Sequence, residues 1–172
     1  MKILNFGSLN IDYVYSVDHF VQKGETISSS QMNIFSGGKG LNQSVALGRA
    51  GAKVFHGGRI GKGGEFLVEQ LKESGVNTDL VVLDEGCSTG HAIIQNDAEG
   101  DNCILLYGGA NQRITKEQID DTLSHFEAGD YVVLQNEINN LPYLMEKAAK
   151  KQMNIVLNPS PMDEKIKATA FR

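Results

Sequence analysis

The chain has 172 residues, 41% hydrophobic and 22% charged, a globular composition that excludes a disordered or fibrous chain and suffices for one sizeable core. No run approaches the roughly 18 apolar residues of a membrane span, and Met1-Lys2-Ile3-Leu4-Asn5 turns polar too early for a signal peptide. A net charge of −5 argues against a nucleic-acid-coating surface, and Cys87 and Cys103, in neither a CxxC pair nor a metal spacing, read as reduced thiols of a cytoplasmic protein.

Residues 2–8 form a short apolar stretch that reads as a buried first strand, followed directly by Asn10-Ile11-Asp12. Residues 13–17 and 26–35 mix β-branched and aromatic residues with serine and read as half-exposed strands. Gly37-Gly38-Lys39-Gly40 opens a helical segment with Leu41, Val45 and Leu47 near helical spacing, and Gly51 stops it. Residues 53–60 read as the next strand. Residues 65–74 read as a helix with Phe66, Leu67, Gln70 and Leu71 on one face, ended by Gly75. Residues 80–83 read as a short apolar strand. Residues 90–95 and 102–107 flank a polar, glycine-containing loop and predict a hairpin. Thr115-Lys116-Glu117-Gln118 is a capping box that starts a helix carrying Ile119, Leu123 and Phe126 on one side. Residues 131–134 read as a buried strand. Leu141, Leu144, Met145, Ala148 and Ala149 recur at amphipathic-helix spacing. Residues 154–157 form the last strand and run into Asn158-Pro159-Ser160-Pro161. Strands alternating with helices, with an inserted hairpin, predict an α/β fold: a largely parallel sheet covered by helices, with a small β appendage.

In open α/β sheets ligands bind beyond the carboxyl ends of the strands. Asn10 and Asp12 follow the first strand, Glu137 follows residues 131–134, and Asn158 follows the last strand. The glycine run at 37–40 supplies flexible backbone at a helix start, where N–H groups are unpaired. Carboxylates and amides from separate strand ends suit a polyol, whose hydroxyls both donate and accept. Taken singly, the same residues have plainer readings. Asn10 and Asp12 suit a turn or cap, Glu137 a dipole-favourable acid before a helix, and the glycine run a loop. Tyr13, Tyr15 and Phe35 read as packing residues, and His19, His56, His91 and His125 as ordinary surface or core histidines. A Walker A loop is excluded: Gly61-Lys62 is followed by Gly63, and His56 stands where the first glycine belongs. No dinucleotide fingerprint is present.

The motifs gain specificity in combination. Gly7-Ser8-Leu9-Asn10-Ile11-Asp12 comes first, then Gly24-Glu25-Thr26. Gly37-Gly38-Lys39-Gly40-Leu41-Asn42-Gln43-Ser44-Val45-Ala46 follows, with Arg49-Ala50-Gly51-Ala52 behind it. Ser88-Thr89-Gly90, Gly109-Ala110-Asn111, Gln135-Asn136-Glu137 and Asn158-Pro159-Ser160-Pro161 complete the order. This set closely resembles the ribokinase (PfkB-type) carbohydrate kinases across nearly the whole chain. The resemblance implies a ribokinase-like doubly wound, mainly parallel sheet with a β-strand lid from the strands near 11–17, 26–35 and 90–107. It implies homodimerisation through those lid strands. It also implies that Asn10, Asp12, Gly38, Lys39, Gly40, Asn42 and Glu137 contact the sugar. Members transfer the γ-phosphoryl group of ATP to a sugar hydroxyl, with Mg²⁺ and often K⁺. GGKGxNQ together with GAN and the NPSP ending favours the ribokinase subgroup, hence D-ribose converted to ribose 5-phosphate, with no nucleic acid or membrane partner.

Two departures accompany the resemblance. The family's acidic GDD-like stretch is replaced by Gly61-Lys62-Gly63-Gly64. Members run to about twice this length, and their GAGD-like motif, which carries the general base and an anion hole, is absent from the 172 residues. The catalytic base is therefore expected beyond Arg172, the last residue of the sequence. The expectation is the N-terminal part of a ribokinase-like kinase domain over 1–172. It would hold the sugar-binding half, lack the catalytic base and nucleotide loops, and be inactive by itself. A non-catalytic sugar-binding or dimerising module is the alternative. A nicotinamide-dependent enzyme shares the βα alternation but needs the missing fingerprint.

Overall fold

The structure is a computed structural model and describes residues 1–164 and 166. Residue 165 and residues 167–172 of the span read as one unit, Arg172 among them, lie outside that description. The base expected beyond Arg172 likewise falls outside the described residues. Five parallel strands form the main sheet: β1 (Ile3–Phe6), β4 (Val54–Lys62), β5 (Asn77–Ser88), β8 (Tyr131–Gln135) and β9 (Asn154–Asn158), in the order β5-β4-β1-β8-β9. A second sheet joins β2 (Asn10–Ser16), β3 (Gln31–Gly37), β6 (Gly90–Asn96) and β7 (Asn102–Tyr107) in the order β3-β2-β6-β7. The helices are α1 (Lys39–Arg49), α2 (Glu65–Glu73), α3 (Lys116–Ser124) and α4 (Leu141–Lys150), with a 3-10 turn at Gly109–Gln112.

Alternation along β1 decides the layers. Successive strand residues face opposite ways. Leu4 and Phe6, both fully buried, enter a cluster with Ile119 and Leu123 of α3 and Leu141, Leu144 and Ala148 of α4. Ile3 packs on the other side, against Leu41 of α1 and Leu67 and Leu71 of α2. Each leucine so buried contributes about 1.5–3 kcal/mol. Helices thus cover both faces, and the sheet is doubly wound as expected. The chain leaves β1 for β4 and β5 on one side and later returns to β8 and β9 on the other. The carboxyl ends of β1 and β8 therefore flank the topological switch point, where such sheets open a crevice.

Several local expectations change. Residues 26–30 are not strand: β3 starts at Gln31 and runs on to Gly37, opposite Asn10. Ser28-Ser29-Ser30 offers side chains that compete with a ladder, and Ser30 bonds back to the Ser16 carbonyl through both its N–H and its hydroxyl. The strand read at 80–83 extends over Asn77–Ser88, because β4 pairs with it as far as Lys62 and Ser88, through two register shifts. Asn10 and Asp12 belong to β2 itself rather than to a turn. Phe66 faces solvent at 41% exposure while Leu67 and Leu71 are buried. Only half of the capping box forms. Thr115 Oγ1 accepts the Gln118 N–H at 3.1 Å, but the Gln118 side chain donates to the Gly58 carbonyl at 2.7 Å and accepts from Arg59 Nε. Among the described residues no helix is long and apolar enough to cross a membrane.

Candidate functional site

Where β1 ends, Gly7 and Ser8 meet the start of α1 at very close range. A Cβ on Gly7 would lie 2.0 Å from Gln135 Oε1, and one on Gly40 would lie 2.4 Å from the Ser8 nitrogen. Gly38 sits at φ 95, a conformation that side chains disfavour. The glycines at 38 and 40 thus serve close packing of α1 on Ser8, where the sequence reading gave them flexibility toward a ligand.

The N–H groups at this helix start are also not free, contrary to that reading. Lys39 N–H donates to Glu137 Oε2 at 2.9 Å. Gly40 N–H donates to Ser8 Oγ at 3.2 Å, and Leu41 N–H to the Ser8 carbonyl at 2.9 Å. Asn42 N–H closes onto the Gly38 carbonyl at 3.0 Å. Residues from the ends of β1 and β8 cap α1 in place of an N-cap side chain, which Gly38 lacks.

Glu137 is the centre of this arrangement. Its side chain is 6% exposed. Oε2 accepts from Ser8 Oγ and the Lys39 N–H, and Oε1 accepts from Lys39 Nζ at 2.9 Å. Three donors compensate the buried carboxylate. Asp12 is the opposite case. It stands on β2, half-buried, with no hydrogen bond to its carboxyl from the described residues. Burial, reinforced by the Glu137 charge and opposed by Lys39, raises its pKa above the usual carboxylate range. Gly37 makes its room, since a Cβ there would lie 2.1 Å from Asp12 Oδ2. Lys39 Nζ keeps partial exposure and two further protons to donate.

Asn10 is buried, and its Oδ1 accepts from Asn111 Nδ2 at 2.7 Å. Among the expected site residues, Asn10, Asp12, Gly38, Lys39, Gly40 and Glu137 are thus brought together. Asn42 has an exposed side chain and is not drawn into the cluster. Asn158 accepts the Ser160 N–H and fastens its own turn.

The sequence reading missed Ser8 and a buried polar layer beneath α1. Asn5 Nδ2 donates to the Gly40 carbonyl at 2.8 Å and to Ser44 Oγ at 2.9 Å. Ser44 Oγ bonds His56 Nδ1 at 2.7 Å. Gln135 Nε2 donates to Asn5 Oδ1 and Gln43 Oε1. His56 is fully buried, and burial lowers its pKa to about 4, with only the Gly7 backbone opposing. The alternation of Asn5 between Leu4 and Phe6 was the one available signal, since it puts a polar side chain on an inner face.

The described residues do not fit a metal–nucleotide site. None of them forms a group of three or more His, Cys, Asp or Glu arranged for a metal ion. The first amides of α1, the natural cradle for a phosphate, are already bonded.

Residues 1–170 match the profile of the pfkB family carbohydrate kinases. The chain is similar to the ribokinase of Staphylococcus aureus strain COL, 34% identical over 166 residues, covering 93% of this chain and 54% of the relative. It is 35% identical over 166 residues to the ribokinase of Bacillus subtilis strain 168, covering 93% and 56%. The fold is similar to that of Arabidopsis thaliana ribokinase complexed with ribose and ATP, with a TM-score of 0.78 and 28% identity over 92% of this chain and 53% of that one. The chain spans about half the length of the curated relatives it matches. With its ordered motifs and switch-point site, it belongs to the pfkB family of carbohydrate kinases.

Proposed function

We propose that this chain is the N-terminal, sugar-binding part of a kinase domain that transfers the γ-phosphoryl group of ATP to a sugar hydroxyl, with D-ribose as the acceptor. One observation carries the reading. At the switch point Asp12, a carboxylate with no hydrogen bond from the described residues, lies within electrostatic reach of the Lys39–Glu137 pair, on the strand that also carries Asn10. That set offers a vacant acceptor beside donors, which is the complement of a polyol. The names of the similar proteins, ribokinases in two bacteria and a plant ribokinase holding ribose and ATP, support ribose.

In this reading Asp12 accepts protons from sugar hydroxyls, while Asn10 and Lys39 donate to their lone pairs. Glu137 holds Lys39 and the start of α1 in place and leaves one lone pair of Oε1 for the sugar. ATP, Mg²⁺ and K⁺ belong to the complete reaction. The described residues supply no general base and no phosphate cradle for it. The chain by itself therefore binds sugar without phosphorylating it.

The second sheet acts as the lid. Asp12 shares its face with its register partners Phe35 and Ala92, and through Ala92 with Leu106. Large apolar side chains are exposed on both faces: Phe35, Ile104 and Leu106 on the Asp12 side, Ile34, Leu105 and Tyr107 on the other. Exposed apolar surface of this extent suits a second copy of the chain, paired lid to lid.

Calorimetric titration with D-ribose tests the reading. Wild type is expected to bind and Asp12→Ala to lose binding. Equal affinity in the two proteins removes Asp12 from the site, and the sugar reading with it.

A further inference from the structure

Asn111 lies on the 3-10 turn Gly109–Gln112, outside both sheets, and is 1% exposed. Its side-chain amide is clamped by the backbone of Leu9. Oδ1 accepts the Leu9 N–H at 3.0 Å, and Nδ2 donates to the Leu9 carbonyl at 3.2 Å. A backbone N–H can only donate and a carbonyl can only accept. The two ends of this amide are therefore fixed by the main chain, and the usual interchange of oxygen and nitrogen is closed to it.

The second proton on Asn111 Nδ2 goes to Asn10, at 2.7 Å. The atom that receives a proton must be the amide oxygen. The Asn10 amide is thus fixed in turn, with Nδ2 as the end directed away from Asn111. That nitrogen donates to no described residue. Two positions along the same strand face stands Asp12, whose carboxyl also accepts no hydrogen bond from the described residues. Gly90 is shaped to this contact. It pairs with Asn10 across β2 and β6, and a Cβ there would lie 2.2 Å from Asn111 Nδ2 and 2.4 Å from Asn10 Oδ1.

We propose that Asn111 is a positioning residue that turns the Asn10 amide so that it presents a donor beside the Asp12 acceptor, and so sets the polarity with which the site receives a sugar. The proposal rests on the sugar-binding reading above. The relay runs from Leu9 backbone to Asn111 to Asn10. The ligand it selects is a polyol that offers a lone pair at Asn10 and a hydroxyl proton at Asp12. A ligand with acceptors alone, such as a sugar fluorinated or oxidised at the hydroxyl facing Asp12, is rejected.

Two measurements on the whole chain test this. The first needs no sugar: water exchange of the side-chain amide protons by NMR. Asn10 protons are expected to exchange fast and Asn111 protons slowly, and Asn111→Asp is expected to slow Asn10 by turning its amide inward. Slow exchange at Asn10 in wild type overturns the proposal. The second is D-ribose affinity in a double-mutant cycle. Asn111→Asp is expected to weaken binding about tenfold, the order for one buried polar group losing its partner, and to add little in an Asn10→Ala background. Equal losses in both backgrounds overturn the proposal in favour of a merely structural role. Asn10→Asp leaves the Leu9–Asn111 clamp intact and reverses only the end facing the site. It is expected to fold as wild type and bind at least tenfold more weakly, by the same arithmetic, and undiminished affinity again overturns the proposal. Absence of ribose binding in wild type strikes the sugar reading, while the exchange measurement still decides the orientation.

Discussion

Ser8→Ala isolates the device that holds the candidate site together. Ser8 is fully buried, and its hydroxyl both accepts the Gly40 N–H and donates to Glu137 Oε2. Alanine leaves the N–H of buried Gly40 without a partner, a loss of about 1–3 kcal/mol. Glu137 loses one of three donors but keeps both from Lys39, so that part stays near the lower bound for a bond to a charged group, about 1.5 kcal/mol. The sum is about 2.5–4.5 kcal/mol, a large fraction of the 5–15 kcal/mol typical of a domain. At a urea slope of about 2 kcal/mol/M, in the middle of the usual range, the unfolding midpoint is expected to fall by about 1–2 M. Urea titration followed by circular dichroism reads this directly. A midpoint shift below about 0.3 M, at unchanged slope, would falsify the claim that Ser8 caps α1 from outside the helix.

Three other expectations follow from single residues. Gly37→Ala puts a Cβ against the Asp12 carboxylate, the mobile end of a side chain; D-ribose affinity is expected to drop about tenfold with little change in the urea midpoint, and an unchanged Kd in calorimetry would detach Asp12 from the sugar. Asp12→Asn is expected to raise the thermal midpoint at neutral pH. Burial raises the Asp12 pKa in the fold above its unfolded value, so its ionised form opposes folding. The gain should therefore vanish once pH drops below the ordinary carboxylate range, and a lowered midpoint at neutral pH contradicts the account. His56 carries the opposite sign: its pKa falls from 6.5 to about 4 on folding. The stability this neutral histidine contributes is complete above the unfolded value and is lost as pH descends through that window, about 3 kcal/mol in all. In urea titrations across the window, His56→Asn is expected to flatten the decline, and an equally steep decline in the variant removes His56 as its source.

The legible parts of this molecule are those written in short-range pattern. Apolar periodicity located α3 and α4, and the tight glycine motifs located the start of α1. Asn10, Asp12, Lys39 and Glu137 stood out because each sits shortly beyond a strand or at a helix start. What escaped depends on partners far along the chain. Ser8 meets Glu137 across 129 residues, Gln135 meets Gln43 across 92, and Asn111 meets Leu9 across 102. No local rule joins such pairs before the sheet order is known. The length of β5 was hidden for a related reason. Its second half is polar because Asp84 is engaged by Arg59 and Arg113, at 3.0 Å each, and partnered charges do not read as strand.

The two carboxylates at the switch point divide the labour between fold and ligand. Glu137 commits three of its lone pairs to Ser8 and to both nitrogens of Lys39, so it ties the ends of β1 and β8 to the start of α1. Asp12 receives no such donors from the described residues while sharing the same field, and burial and the Glu137 charge both act to raise its pKa. In the proposed reading a hydroxyl-bearing ligand supplies to Asp12 the donors that the described residues withhold. Because the penalty for confining that bare carboxyl is borne on folding, binding need not include it, and the ligand meets an acceptor already in position. Filling Asp12's vacancy from within, as Ser8 and Lys39 fill Glu137's, would relieve that penalty and close the site in the same step.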